Sequence, residues 1–523
     1  MKKKLISMVL VGAMSTMMLA GCGGKTEAPA ASAPAAGAET AAEEAAPAEE
    51  GAPAAEASVI NFDEDPYEIA ITLIGLNESN NDLDKVEEEL NKITLEKINA
   101  TVDIQPLFIG DMGTTTTMGI AGGEKMDIVT VGLVYSMSNA VSDGVLLPLD
   151  DLLAERGQAA AAVTADVAEA QKINGVTYAL TGYPYSAMTG GFAYNKTLAE
   201  EWGIDMHDYM TWDELTEAAK ICKEHGIYFT KYGNSSQLNL KFESGFDVFG
   251  ASGDYGVILD PANSSTIENV YASDIFEKFC ERQKDWFDNG YLPADQMTDS
   301  TSVQQLFANQ QVFCTSTAYT PDQIAVWLSP DFETGIIKMA DGITMTGGVV
   351  EMMLGIAATS ERPDKCMDLL NLIYSDRDVA NLLNYGVEGL DYARVEGTEN
   401  VITYEGTPNA DHSGYYTSFS HFGDPTMRYV LAPLTDSYID DLKAFNEEAK
   451  RSKAFGYSFN AEMYPTEAAA ISAVLQEKLP MLNAGQISDV KAGVDDLVAS
   501  LEQAGINDVI AGNQEQLDAY LAQ

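Results

Sequence analysis

Between Tyr67 and Gly132 the apolar positions change period several times. "YEIAITLIG" (residues 67–75) runs apolar like a half-buried strand, residues 77–84 supply turn and capping chemistry, and Val86, Leu90, Ile93 and Ile98 then share one helical face. "ATVDIQPLFI" predicts a second strand, "TTTTMGIAGG" a short helix closing on glycines, and "MDIVTVG" a third strand. A βαβαβ run of this kind predicts a parallel sheet that offers ligands the C-terminal ends of its strands. In "MTWDELTEAAKICKEHG", Thr211 and Glu214 form a capping box, Leu215, Ala218, Ala219 and Cys222 a buried stripe, and Gly226 a stop. Trp212 beside that box is expected to pack. "SERPDKCMDLL" predicts a helix with Pro363 in its first turn and Cys366, Leu369, Leu370 and Ile373 turned inward. "FAYNK" (192–196) predicts a strand running into a turn, consistent with a passage between lobes.

The N-terminus follows a different pattern. Lys2, Lys3 and Lys4 precede an apolar stretch from Leu5 to Ala20, and small residues Ala20 and Gly21 lead into Cys22, which is the layout of an export signal. That stretch of 16 residues is short beside the roughly 20 needed to span a bilayer. "LAGC" resembles the bacterial lipobox, which implies removal of residues 1–21 and acylation of the Cys22 thiol, and two acyl chains give a lasting anchor. Residues 28–57 hold 16 Ala, 4 Pro and 6 Glu without an aromatic or large aliphatic side chain, so nothing there repays the entropy of ordering. Residues 22–66 are therefore expected to be a lipidated, disordered linker, with the globule beginning near Tyr67.

Charge and composition narrow the function further. A net charge of −50 repels phosphates and anionic headgroups, which disfavours nucleic acid or a polybasic membrane role. "GIAGGEK" lacks both the dinucleotide and the P-loop signatures, and the four histidines stand at no zinc spacing. Cys222, Cys280, Cys314 and Cys366 sit within apolar patterns without a CxxC pair, so buried free thiols are expected. No metal or cofactor is called for. The globule is too long for one compact core and suits two lobes.

The segments "GEKMDIVTVG", "GVLLPLDDLL", "KINGVTYALTGYP", "FAYNKTLAEEWGID" and "TWDELTEAAKICKEHG", in that order, resemble the family 1 extracellular solute-binding proteins of ABC importers, the carbohydrate-binding ones above all. The likeness continues through "FANQQVFCTSTAY", "GIAATSERPDKCMDLLNLIYSD" and "NYGVEG" to "AFGYSFNAEMYPTEAAAISAVLQEKLPMLNAG", which is similar to the C-terminal region of a lipoprotein branch. It implies an α/β, periplasmic-binding-protein-like fold of two α/β lobes joined by a multi-crossing hinge. Residues 67–190 with about 348–397 are expected in one lobe, and 191–347 with about 398–523 in the other. The implied function is capture of an extracellular carbohydrate, an oligosaccharide in the first instance, for delivery to ABC permease subunits by a monomer lipid-anchored outside the cell membrane. The same fold also accommodates a receptor for peptide or another polar solute. A secreted glycosidase needs only a carboxylate pair, though no motif isolates one.

A sugar site requires aromatic platforms for C–H faces and planar side chains for hydroxyl rims. Loops at strand ends supply the candidates Asn77, Glu78, Tyr135, Tyr183, Tyr185, Tyr319, Trp327, Glu388 and Tyr416. Tyr319 leads them. "QQVFCTSTAY" reads as a strand that ends just before it, and in the carbohydrate-binding relatives the matching stretch ends in an aromatic that stacks on a sugar. A Tyr319 packed against the segment carrying Trp327 is the alternative.

Overall fold

The structure, a computed structural model, describes residues 60–76, 80–233, 235–250, 252–329 and 331–522. Cys22, the signal segment 1–21, the linker as far as residue 59, and the candidates Asn77 and Glu78 lie outside the described residues.

The chain opens with β1 (Tyr67–Gly75), α1 (Leu83–Ile98), β2 (Ala100–Phe108), α2 (Met112–Gly122) and β3 (Ile128–Gly132). β1 and β2 pair in parallel from Tyr67↔Ala100 to Gly75↔Phe108, and Ile71 of β1 pairs with Ile128. Ile69 to Ile74 are buried on both faces because helices cover the sheet, which is why β1 is a continuous apolar run. α1 turns Val86, Leu90, Thr94 and Ile98 inward and stops at Asn99, whose left-handed conformation suits an asparagine. β4 (Ala179–Thr181) completes this passage before residues 182–188 cross to the second lobe.

There β5 (Thr189–Asn195) is the central strand, α3 (Trp212–Glu224) and α4 (Asp274–Asp288) pack beside it, and β6 (Cys314–Tyr319) and β7 (Thr334–Lys338) flank it antiparallel in the order β6-β5-β7. α3 carries the Thr211–Glu214 capping box, and Trp212 packs with the Arg282 guanidinium 3.7 Å over its ring and Phe192 edge-on. "FAYNK" is thus part of a core strand, with Asn195 capping the next helix through Leu198 N–H at 2.9 Å; the passage between lobes lies just upstream.

β8 (Ile343–Thr344) leads back to the first lobe, where β9 (Met352–Ile356) lies antiparallel to both β3 and β4. Among the described residues the first sheet has five strands in the order β2-β1-β3-β9-β4. α5 (Pro363–Ile373) and α6 (Arg377–Tyr385) follow, then β10 (Ala393–Arg394), β11 (Val401–Thr403) and β12 (Val430–Leu431), which form a small sheet of their own. This excursion belongs to the first lobe and not to the second, where residues 398 onward were expected. Tyr415 and Phe422 share a core with Ile69, Leu90 and Leu370, and Asn384 of α6 bonds the Phe422 backbone through both ends of its amide. Strands of two or three residues leave no periodicity to read.

The last crossing contains α7 (Tyr438–Glu448) and β13 (Lys450–Arg451) and leads into α8 (Pro465–Asn483), α9 (Val490–Gln503) and α10 (Ile506–Leu521). These helices bury Ile471, Leu475, Leu479, Leu497 and Val509 in the core of the second lobe, beside Phe276 and Trp286. The four described cysteines are free and fully buried.

Candidate functional site

Topology locates the cleft before any side chain is considered. The first lobe's sheet releases the chain at the end of β4 and takes it back at the start of β9, on the edge where β1, β2 and β3 also end. That edge faces the second lobe, whose sheet ends toward it at Tyr319, paired with Thr189. Among the described residues the chain crosses three times, and the crossings run side by side. Met188 and Ile343 exchange backbone bonds of 3.1 and 2.9 Å, β8 pairs with β13 in parallel, and the Ala187 N–H donates to Asn446 Oδ1 at 2.8 Å. This ribbon is the only hydrogen-bonded continuity between the two sheets among the described residues, which makes it the natural hinge.

Beside the hinge the cleft is aromatic and acidic. Tyr183 follows β4 and is half-buried; burial pushes its phenol up, the Glu351 charge adds to this, and Arg428 opposes it. Glu351 immediately precedes β9. Its side chain stays open to water, yet the surrounding walls desolvate the carboxyl and push it up to about 7. Arg428 is buried and spends its guanidinium on the carbonyls of Gly182, Ser420, Phe422 and Gly423, which fixes the start of the first crossing to the loop before β12. Asp322 of the second lobe perturbs both Tyr183 and Tyr438 of α7, so groups from both lobes and from the connecting helix converge here. Tyr319 packs against Phe445 of α7, ring centroids 5.4 Å apart at 59°, and burial pushes its phenol up, with Asp208 adding and Lys338 opposing.

The other sequence-derived candidates fall in different places. Tyr185 lies half-buried in the first crossing, its phenol raised by burial and by Asp424. Tyr416 is half-buried at the end of β1, where its N–H donates to Asn80 Oδ1 at 3.0 Å and its ring meets His412 at 4.0 Å and Tyr404 at 5.8 Å. Tyr135 is 5 % exposed; its hydroxyl donates to Asp143 at 2.9 Å and its ring fills the first lobe's core, so it supports the β3 turn from behind. Trp327 is 6 % exposed in a small core with Phe307 and Phe332, and its indole N–H donates to Thr317, leaving little face for a ligand. Glu388 is exposed and paired with Arg394 at 3.3 Å. Sequence reasoning missed Glu351, Asp322, Tyr438, Phe445, Tyr404 and His412. Only Tyr404 and His412 carried a usable signal, as rings in a loop rich in Gly, Asn and Ser.

With this geometry in place, the likeness to known proteins becomes interpretable. A family profile described as "Bacterial extracellular solute-binding protein" matches residues 82–380, more than half of the chain. The chain belongs to that family. A second profile, a domain of unknown function, matches residues 453–522, the unit built on α8 to α10. A carbohydrate ABC transporter substrate-binding protein of Streptococcus pneumoniae is 25 % identical over 459 residues, covering 86 % of this chain and 91 % of that one. The crystal structure of an N-glycan transport solute-binding protein, NgtS, from the same organism superposes with a TM-score of 0.74 at 24 % identity, covering 87 % of this chain and 99 % of its own. An HMO-binding, ABC-transporter-associated solute-binding protein of Bifidobacterium longum infantis gives 0.61 at 15 % identity, covering 88 % and 100 %. At such identities these structures speak to fold, and the fold is the two-lobed α/β arrangement of periplasmic-type solute-binding proteins.

Proposed function

We propose that this solute-binding protein captures an extracellular oligosaccharide between its lobes and presents it to the permease of an ABC importer, as a binding and not a catalytic protein. The observation that carries the reading is the convergence of Tyr183 and Glu351 from one lobe, Tyr319 and Asp322 from the other, and Tyr438 from α7 on one cleft. Rings that stack on C–H faces and carboxylates that accept from hydroxyls are what a saccharide requires. Ligand bridging the lobes favours the closed arrangement about the three-strand ribbon, since it binds that arrangement better. The carbohydrate importer protein similar over most of this chain supports the same cargo class. Titration calorimetry against panels of oligosaccharides and peptides is the test. Saccharide binding with compaction in small-angle scattering is expected, and binding of peptides alone would overturn the reading.

Export and lipid anchoring through Cys22, as a monomer on the outer face of the cell membrane, complete the proposal. A palmitate analogue should label the wild type and not Cys22→Ala. Equal labelling of both would remove the anchor.

A further inference from the structure

Helix α7 connects the cleft to the hinge along a single face. Tyr438, Leu442, Phe445 and Asn446 stand at i, i+4, i+7 and i+8 and so share one side, while Asp440, Ala444, Glu447 and Glu448 on the other side are exposed. The first member of that stripe belongs to the cleft. Burial raises the Tyr438 phenol, Asp322 and Tyr385 add to this and Arg428 opposes it, and the same three groups act on the Tyr183 phenol. The last two members belong to the hinge. Asn446 Oδ1 accepts from the buried Ala187 N–H of the first crossing at 2.8 Å, and its Nδ2 donates to the Leu442 carbonyl at 2.9 Å, which fixes the amide with its oxygen toward that crossing. Phe445 lies so close to the second crossing that a Cβ on Gly342 would stand 2.9 Å from its Cζ, and its ring meets Tyr319 of the second lobe at 5.4 Å. The helix then runs into β13, which pairs with β8 of the second crossing. Eight residue steps of 1.5 Å put about 12 Å of continuous helix between Tyr438 and Asn446.

We propose that α7 is a lever between ligand and hinge, and that Asn446 is the positioning residue through which a contact at Tyr438 sets the angle between the lobes. The inference rests on the oligosaccharide reading above and adds the route by which capture becomes closure. A ligand shifts the lobes only by binding one arrangement better than the other, so a contact promotes closure when the group it touches moves with the hinge. Tyr438 meets that condition, because its helix is bonded to the first crossing, packed on the second and continuous with the third. An asparagine suits the joint. Ala187 precedes the Met188–Ile343 backbone pair, and its N–H is taken by a side chain, which holds the crossing while leaving it able to turn about one bond. An apolar residue at 446 would leave that buried N–H without an acceptor.

The test is a double-mutant cycle read by titration calorimetry on the full-length chain. Its probe is the tightest-binding member of a panel of neutral tri- to hexasaccharides, plain and N-acetylated. Tyr438→Ala should weaken binding about tenfold in the wild type and less than about threefold in Asn446→Leu, because the contact no longer reaches the hinge. Asn446→Asp, which keeps an acceptor for Ala187 and loses the donor to Leu442, should retain the full cost of Tyr438→Ala. Asp322→Asn, in the second lobe and off the helix, should cost the same factor with either residue at 446. Should Asn446→Leu not fold, Gly342→Ala, which presses on Phe445 from the second crossing, takes its place in the cycle. Equal cost of Tyr438→Ala in both backgrounds overturns the lever, as does an Asn446→Asp chain that behaves like Asn446→Leu. Shrinkage of the Asp322→Asn cost alongside that of Tyr438→Ala also overturns it and marks a general loosening of the fold. Those three outcomes leave carbohydrate capture standing, whereas absence of binding to any panel member overturns both.

Discussion

Replacing Tyr319 by alanine separates the ring's two contacts. The ring stands at the end of β6, half-buried, tilted at 59° against Phe445 on α7 at 5.4 Å and partly open to solvent. Losing an aromatic pair costs about 0.5–1.5 kcal/mol beyond area. A half-buried ring contributes about half of the roughly 1.5–3 kcal/mol of a fully buried one. Stability should therefore fall by about 2 kcal/mol, measured by chemical denaturation without ligand. Stacking of a sugar on the exposed face is worth about 1–2 kcal/mol, so the dissociation constant should rise by roughly 5- to 30-fold. Tyr319→Phe keeps the platform and should stay within about threefold. Phe445→Ala, which removes only the backing ring, should cost stability of similar size and less affinity. Unchanged affinity for Tyr319→Ala at saturating folded fraction would refute the platform role and leave Tyr319 as packing on α7 alone.

Other expectations follow from buried charge. His421 is fully buried beside Phe422, and desolvation lowers its imidazole from 6.5 to about 4. The unfolded chain therefore binds the proton first, so this residue's contribution is complete above pH 6.5 and drains away as pH falls toward 4, by about 3 kcal/mol. Denaturation midpoints at pH 7, 5.5 and 4 should show that slope in the wild type and a shallower one in His421→Leu; identical slopes would refute it. In the second lobe Arg282 bonds the buried carboxylate of Glu243, which Tyr232 also reaches, while its guanidinium lies over Trp212. Arg282→Met strands that carboxylate and should cost about 3–5 kcal/mol in urea unfolding, and a loss below 1 kcal/mol would contradict it.

What the sequence disclosed was what local chemistry determines. The βαβαβ run is legible because β1 is buried on both faces and α1 on one, and the Thr211 box is legible because both of its bonds close within three residues. Position after a strand was a weaker guide. Tyr135 and Tyr183 both follow strands, but Gly113 leaves room for the Tyr135 ring to fold back into the core, 3.0 Å from where a Cβ would stand, and nothing near Tyr135 in the chain announces that. Trp327 was misleading for the same reason, since Phe307, which packs edge-on against it, lies twenty residues earlier and becomes a neighbour only after folding. Glu351 gave no signal at all. One carboxylate among 80 Asp and Glu is unusual only for the burial that desolvates it, and that burial is assembled by the fold.

The C-terminal unit shows how tertiary contacts give a helical region its place. α8 to α10 complete the second lobe's core, yet the residues leading into them reach the other lobe. Phe455 packs with Val167 and Ala170 of the first lobe and Val349 of the second crossing, and the Arg451 guanidinium donates to the Asp166 carbonyl at 2.6 Å. Tyr520, from the end of α10, donates to the Phe455 carbonyl at 3.0 Å, so the last helix holds this contact from the second lobe's side. Gly456 permits it, with φ 89° and a Cβ position 2.0 Å from the Tyr520 hydroxyl. Removing the unit would thus do two things at once. It would expose the apolar face of α4, and it would release the hinge ribbon on the side where Phe455 ties it to the first lobe. The cleft chemistry lies on the strand ends of both sheets, but the geometry in which those ends meet depends on residues 450–457 and on the helices behind them.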